Sequence, residues 1–522
     1  MTDFKRTVKD VDLSGKTVFL RVAYDLPLDS SKELLDPSRI ADDSRILDSL
    51  PTIKSILDQK PSKFLIAAGW MGRPKGEDKE FTMAPAVLRL KQLLKEANYD
   101  VEVLLTPNCL DGAAPRSVYR NQEEVKKAVE DLQPNQILMF ENVRYDKEAN
   151  KGDPGFGEFM GSLAGQNAIY VNEAEPQNHR PEATIKLVPG IIIKNGGDAV
   201  FGFKYIDVMD KIGGMGAKLK DDGRGPFVFY LSGKKIEVQP GITSKISVTN
   251  SLLDSMKEGD KLIVQGAVTY TFLASSEYYS DIDSKKSEIQ AKLDELRQRI
   301  SSETEGLDSE AATNKEQDIR KEVTNEILGL IGITLDDVKK LIGSSYMKKG
   351  QEGEQLFFAY QVLAKAKEKH VEVLINEDHI ITNAKPNKQG ILPEEAEIKI
   401  HEQPTGIPEG WMGIAPGPNT LSKIESAYGA DNGISLQAGP VQIEDLRVEE
   451  ISKANQRIGQ ATRDAKAKGW ITIAAGGDTA AETARFNNKD AYTVISNAGG
   501  ATLELIESGT SVGAEAIKEA LK

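Results

Sequence analysis

The chain has 522 residues, 39% of them hydrophobic and 28% charged, with 80 acidic against 66 basic side chains and a formal net charge of -14. That length favours two cores over one, the composition is that of a folded chain, and the acidic balance argues against a general nucleic-acid binder, whose phosphates reward clustered Lys and Arg. The single cysteine, Cys109, excludes an intramolecular disulfide and a thiolate metal cluster, and with no apolar signal-peptide core in residues 1–12 and no bilayer-length apolar run, the expected address is the cytoplasm, without a membrane partner.

Short apolar runs rich in β-branched residues begin the chain. Residues 17–22, 64–68, 101–105, 137–140 and 168–171 read as buried strands. Between them Ile46, Leu47, Leu50, Ile53, Ile56 and Leu57 recur at helical spacing, as do Val87, Leu88, Leu90, Leu93 and Leu94. Strand and helix alternation predicts a parallel sheet covered on both faces. The pattern pauses over 189–225, where Gly196, Gly197, Gly213, Gly214 and Gly216 punctuate a helical stretch. It resumes with strands at 227–231, 261–264, 371–375, 433–436, 470–474 and 492–495.

The expected fold is therefore α/β: two doubly wound parallel-sheet (Rossmann-like) domains joined by a hinge. The boundaries are 1–195 for the first domain, 196–225 for a hinge helix region, 226–505 for the second domain and 506–522 for a C-terminal segment. Within the second domain, residues from about 279 to about 350 shift to charged helix formers, with Ile289, Leu293, Leu296 and Ile300 on one narrow stripe. That spacing suits a helical hairpin packed on its own apolar stripe.

Four arginines stand beside turn or strand-end signals in the first half: Arg45, Arg73 in Gly72-Arg73-Pro74-Lys75-Gly76, Arg144 in Glu141-Asn142-Val143-Arg144, and Arg180 in His179-Arg180-Pro181. Guanidinium forks pair with phosphate and carboxylate at any relevant pH. Loops after successive parallel strands converge at one end of the sheet, so the four suggest one anion pocket. In the second half, Ala475-Gly476-Gly477-Asp478-Thr479 follows a predicted strand and opens a helix, an arrangement whose free N–H groups and dipole receive phosphate. Asp478 either caps that helix or holds Mg²⁺ on a nucleotide, and taken alone capping is favoured.

These residues carry a resemblance. Arg21-Val22-Ala23-Tyr24-Asp25-Leu26-Pro27 is similar to the R-V-D-x-N-x-P segment of phosphoglycerate kinases, and Gly69-Trp70-Met71-Gly72-Arg73-Pro74 stands where that family has S-H-L-G-R-P. Ser496-Asn497-Ala498-Gly499-Gly500-Ala501 resembles its S-T-G-G-G-A, and Ser232-Gly233-Lys234-Lys235 its G-G-A-K. Gln265-Gly266-Ala267 stands in place of a glycine-rich strand end, Gly410 to Pro418 matches a further segment except at Ala415, and Ala438-Gly439-Pro440 replaces the family's N-G-P; the likeness runs from about residue 18 to about 514, interrupted by the charged insertion.

The resemblance implies reversible phosphoryl transfer between 1,3-bisphosphoglycerate and ADP, giving 3-phosphoglycerate and ATP. The partners would be those small molecules, with Mg²⁺ carried by ATP or ADP, no nucleic acid, and a monomeric enzyme. Arg45, Arg73, Arg144 and Arg180, with Asp25 beside them, would hold the acid, and Arg45 would lie nearest the phosphoryl group in flight. Lys235 would be the cation for that group, with the amides near Gly476 and Gly499 absorbing charge. Gly233, Lys245, Gly266, Pro440, Gly477, Asp478 and Thr479 would bind nucleotide, Asp478 its Mg²⁺, and Asp445 the ribose. Without a gap the family's second lysine falls on Gln239; with a short insertion it falls on Lys245. Residues 506–522 would return to the first domain, and hinge closure would bring the two sites together.

Beside the first-half arginines four positions depart from the pattern: Ala23 for aspartate, Asp25 for asparagine, Trp70 for histidine and Glu182 for the second histidine of H-R-x-H. Asp25 and Glu182 add negative charge to a site meant for anions unless each pairs with an arginine. A fifth, Ala415, stands where the family has aspartate. The alternatives are a same-fold kinase for another carboxylate, or an inactive nucleotide-binding or scaffold homologue.

Overall fold

In the computed structural model, residues 5–522 are described except 75, 109, 111–112, 234–244, 388–389 and 403–405. Cys109, Lys235 and Gln239 thus lie outside the described residues, as does the side chain of Lys245. The chain divides into two compact units, Met1–Met215 with Glu504–Lys522, and Gly216–Leu503.

The first unit is built on β1 (Thr17–Val22), β2 (Lys63–Ala67), β3 (Glu102–Thr106), β4 (Gln136–Phe140), β5 (Ile169–Glu173) and β6 (Asp198–Phe201). All pairs are parallel, in the order β3-β4-β2-β1-β5-β6. Alternation along β1 explains why both faces are covered. Val18, Leu20 and Val22 enter a core with Ile53, Ile56, Leu90 and Leu94, and Phe19 enters a second with Phe140, Tyr170 and Ile517. Helix Ser44–Asp58 buries Ile46, Ile53 and Ile56 as its spacing predicts, but Leu47 is largely exposed.

Strand β6 falls inside the stretch read as a hinge helix. It is four residues long and follows Asn195-Gly196-Gly197, so its pattern is too short to stand out beside the glycines. Helix Val512–Ala520 belongs to this unit. It packs on the helices Ala183–Lys186 and Val188–Lys194, buries Ile517, and its Gly513 N–H donates to Asn178 O at 3.1 Å.

The second unit carries β7 (Phe227–Leu231), β8 (Lys261–Val264), β9 (Glu372–Leu374), β10 (Asp378–Thr382), β11 (Ile398–Glu402), β12 (Met412–Pro416), β13 (Ile434–Ala438), β14 (Ile471–Ala475) and β15 (Val494–Ser496). Six of them form a parallel sheet, β15-β14-β13-β7-β8-β9. The other three make an antiparallel sheet, β11-β10-β12, which the sequence reading did not anticipate. In both parallel sheets the chain leaves the first strand in one direction and later returns to its other side, at β1/β5 and at β7/β13. Those reversals open crevices at the carboxyl ends of strands, where ligands of such sheets bind.

The charged insertion is a hairpin of helices Tyr279–Glu303 and Ser309–Leu330. Its stripe is not free: Ile289, Leu293 and Leu296 are buried against Ile319, Val323 and Ile327, and Phe357 and Tyr360 of helix Glu352–Glu368 join the same core. A buried ion pair, Arg320 Nη1 to Glu354 Oε2 at 2.6 Å, ties the hairpin to that helix. Ile289→Val removes one methylene from this stripe and should cost about 0.5–1.5 kcal/mol, read as a lower urea midpoint with an unchanged m-value.

Candidate functional site

The loops after β1, β2, β4 and β5 of the first unit are tied into one piece. Gly69 has φ +77°, and a Cβ there would lie 2.3 Å from Gln177 Oε1 and 2.7 Å from Arg21 Nη1, so only glycine lets the β2 loop approach so closely. The Asn142 amide donates to Met71 O and Phe81 O, both at 2.8 Å, and its oxygen accepts the Arg144 N–H at 3.0 Å. Arg144 Nη1 then donates to Gly72 O. Asp25 Oδ1 accepts the Gly72 N–H at 3.1 Å, and the Asp25 carbonyl accepts from Arg45 Nη1 at 2.5 Å. Asp25 therefore shapes the β2 loop with its side chain and holds Arg45 with its backbone.

The second added carboxylate is neutralised from below. Glu182 Oε2 receives Arg21 Nη2 at 2.9 Å, and both side chains are almost wholly buried. Arg21 also donates to Thr184 Oγ1 and Gln177 Oε1, each at 2.8 Å, and to Val22 O. Burial pushes the Glu182 carboxyl up from its ordinary value, and Arg21 opposes that rise.

Three of the sequence-predicted arginines, Arg73, Arg144 and Arg180, gather near this pair, whereas Arg45 lines a separate recess with Asp48, Glu173 and Lys204. Burial draws the half-buried Arg144 guanidinium down from its ordinary value; the positive charges of Arg180 and Arg73 add to the effect, while Asp25 and Glu182 oppose it. All four groups thus lie within electrostatic reach of Arg144. Among the described residues no carboxylate comes within ion-pair distance of Arg73, Arg144 or Arg180, whereas Arg21, Arg39 and Arg224 each have one and Arg320 has two. Trp70, buried beneath, has Arg144 Cζ 4.2 Å and Arg180 Cζ 5.1 Å from its ring centroid. His179 is held neutral, its pKa lowered to about 4 by burial and by Arg180, and among the described residues its Nδ1 has no hydrogen-bond partner. Clustered cations without counter-ions form a site that an anion completes.

In the second unit two glycine turns meet. Gly476, at φ +110°, follows β14 and its N–H donates to Ser496 O at 2.9 Å; a Cβ there would lie 3.5 Å from the Cα of Gly499. Helices Gly477–Arg485 and Gly500–Ser508 start from these neighbouring turns, and the first-turn N–H groups of a helix lack partners within it. The cap of the first helix is Gly476, not Asp478, which sits exposed in the first turn. The capping reading of Asp478 is thereby corrected, and its carboxylate faces solvent beside the glycines.

Two other nucleotide-site expectations change. Thr479 is fully buried, and its hydroxyl donates to Ala475 O at 2.8 Å while accepting the Gly439 N–H at 2.9 Å, so that hydroxyl is committed within the protein. Asp445 is also fully buried; its carboxylate is held by Arg447 Nε at 2.9 Å and Nη2 at 2.7 Å and by the Leu392 N–H at 2.8 Å. It offers no free carboxylate to a ribose.

Gly233, Gly266 and Pro440, at the ends of β7, β8 and β13, line a cavity of about 450 Å³ with Tyr270, Ile414 and Gln442. Gly266, at φ +67°, lies against its neighbours: a Cβ would come within 2.8 Å of Gly233 N and 3.0 Å of Pro440 O. Sequence reasoning missed Glu482, which fixes one wall. Its carboxylate accepts the Val441 N–H at 3.1 Å and Gln437 Nε2 at 2.9 Å. The available signal was its place three residues after Thr479, on the same helix face. Burial, with Glu444 adding, raises its pKa to about 8.

The fold thus favours neutral Glu482. Its contribution to stability is full below the unfolded value of about 4.5 and is lost as pH rises through about 8. Glu482→Gln, which cannot ionise, should escape that loss. Between about pH 5 and about pH 9 the wild-type Tm should fall further than that of the variant.

Comparison with known proteins points to one family. The family model described as phosphoglycerate kinase matches residues 8–326 and 326–509. The phosphoglycerate kinase of Thermosipho africanus (strain TCF52B) is 28% identical over 504 residues, 96% of this chain and 95% of that one. The cytosolic phosphoglycerate kinase of Triticum aestivum is 28% identical over 514 residues, 98% of each. Among solved structures, phosphoglycerate kinase from Coxiella burnetii superposes with a TM-score of 0.59 at 22% identity, covering 99% of this chain and 100% of that one. The enzyme from Pyrococcus horikoshii OT3 gives 0.61 at 16%, covering 99% of each. At such identities the structures speak for the shared fold.

Proposed function

The chain belongs to the phosphoglycerate kinase family, and from that premise we propose that it transfers a phosphoryl group reversibly between 1,3-bisphosphoglycerate and ADP, giving 3-phosphoglycerate and ATP. The first unit is the acid-binding part and the second the nucleotide-binding part. The observation that carries this reading is the cluster of Arg73, Arg144 and Arg180 without carboxylate partners among the described residues, at the strand ends where a doubly wound sheet takes its ligand.

In the mechanism Arg73, Arg144 and Arg180 bind the phosphate and carboxylate of the acid, and Arg45, fastened to the Asp25 carbonyl, donates to the phosphoryl group that moves. Phosphoryl transfer asks little covalent help of the protein, so catalysis rests on alignment and charge stabilisation. The turns at Gly476 and Gly499 give first-turn amides to the nucleotide phosphates. The residues fit a magnesium ion that arrives with the nucleotide: the Asp478 carboxylate, exposed beside the glycine turn, would hold it. When bound, that ion neutralises phosphate charge. Among the described residues no helix is long and apolar enough to cross a membrane.

A coupled assay with ATP, Mg²⁺ and 3-phosphoglycerate tests the proposal. Turnover that requires all three supports it. Turnover restored only by a different acid would replace the substrate, and nucleotide binding without any turnover would replace the activity with a binding role.

A further inference from the structure

We infer that Trp70 is a positioning residue of the acid site, a stacking platform that holds the guanidiniums of Arg144 and Arg180 within one anion's reach; this rests on the reading of that site given above. Trp70 is only 3% exposed, and its loop is pinned on both sides. The Val143 N–H donates to Gly69 O at 3.2 Å, and Asn142 Nδ2 donates to Met71 O at 2.8 Å. The ring therefore belongs to the rigid part of the site.

Among the described residues it is the one ring that engages two cations, at 4.2 and 5.1 Å from the centroid. Two guanidiniums so placed repel each other, and among the described residues no carboxylate lies within ion-pair distance of either, Asp25 and Glu182 acting only from farther off. Of the aromatic side chains an indole face attracts cations best, because its quadrupole is negative above and below the plane. Arg144 has a second anchor in Gly72 O. The Arg180 backbone is fixed by its N–H to Gln177 O at 3.0 Å, which leaves the guanidinium to be set by the ring. An imidazole at this position would give an anion a hydrogen bond of its own. Trp70 gives none toward its π-face and orders two stronger donors instead, which lowers the entropy cost of binding.

The test compares wild type, Trp70→Phe and Trp70→Leu by calorimetric titration with 3-phosphoglycerate, with ADP titrated into the same preparations, and by steady-state KM for each substrate. Trp70→Leu should weaken 3-phosphoglycerate binding on the order of tenfold and raise its KM alike, leaving ADP affinity and nucleotide KM unchanged. Trp70→Phe, which keeps a ring face, should recover most of the loss. Equal affinity of wild type and Trp70→Leu would overturn the inference while the acid-site reading stands. A phenylalanine variant no better than leucine would also overturn it, since bulk alone would then explain the effect. A wild-type protein that binds no 3-phosphoglycerate would overturn both.

Discussion

Arg45→Ala should lower kcat for phosphoryl transfer by about 10³-fold and leave the calorimetric affinity for ADP unchanged. Arg45 sits in the first turn of helix Ser44–Asp58, just beyond β1, and lines a small recess with Ala23, Asp48, Glu173 and Lys204 where the strand order reverses. Its tie to the Asp25 carbonyl fixes one nitrogen of a planar guanidinium fork. Arg45→Lys, which keeps the charge and loses the fork, should fall between the two. Steady-state rates in both directions read the effect. An alanine variant with wild-type kcat would remove Arg45 from the chemistry.

Glu182→Ala should destabilise the first unit by about 3–5 kcal/mol, because it strands a buried guanidinium. Arg21 is fully buried, 2.9 Å from the carboxylate it would lose. Its remaining bonds to Thr184, Gln177 and Val22 are to neutral groups. Removing both charges, as Arg21→Leu with Glu182→Leu, should restore much of the loss, since an apolar pair of similar volume avoids the desolvation penalty altogether. Urea unfolding followed by tryptophan emission in a Trp411→Phe, Trp470→Phe background, where Trp70 alone emits, reports this unit, and the two units need not melt together. Additive single-variant effects would show that the pair carries no coupling.

The parallel sheets were legible because their strands are short, apolar and punctuated by helical spacing; β7 and β8 end where the periodicity says. Strand β6 was hidden by glycines, and β10 to β12 by their pattern: β11, with Ile400 half exposed, lacks the apolar run of a buried strand. The arginines could be picked out singly, since each follows a strand. What could not be read was how the departures are absorbed. Arg21 and Glu182 are 161 residues apart, and no local pattern links them. Trp70 looked like a lost histidine until the ring and two guanidiniums were seen together. Asp445 and Thr479 sit in family order, yet their polar atoms serve neighbouring loops, a fate decided by packing.

The helix Val512–Ala520, with Ile517 in the core beneath β1, has a consequence for birth on the ribosome. Residues 504–522 complete the first unit but are translated after all of 216–503. At elongation rates of about 5–20 residues per second, the nascent first sheet waits tens of seconds with that side of its core uncovered. Early chains are therefore the form most exposed to chaperones and proteases.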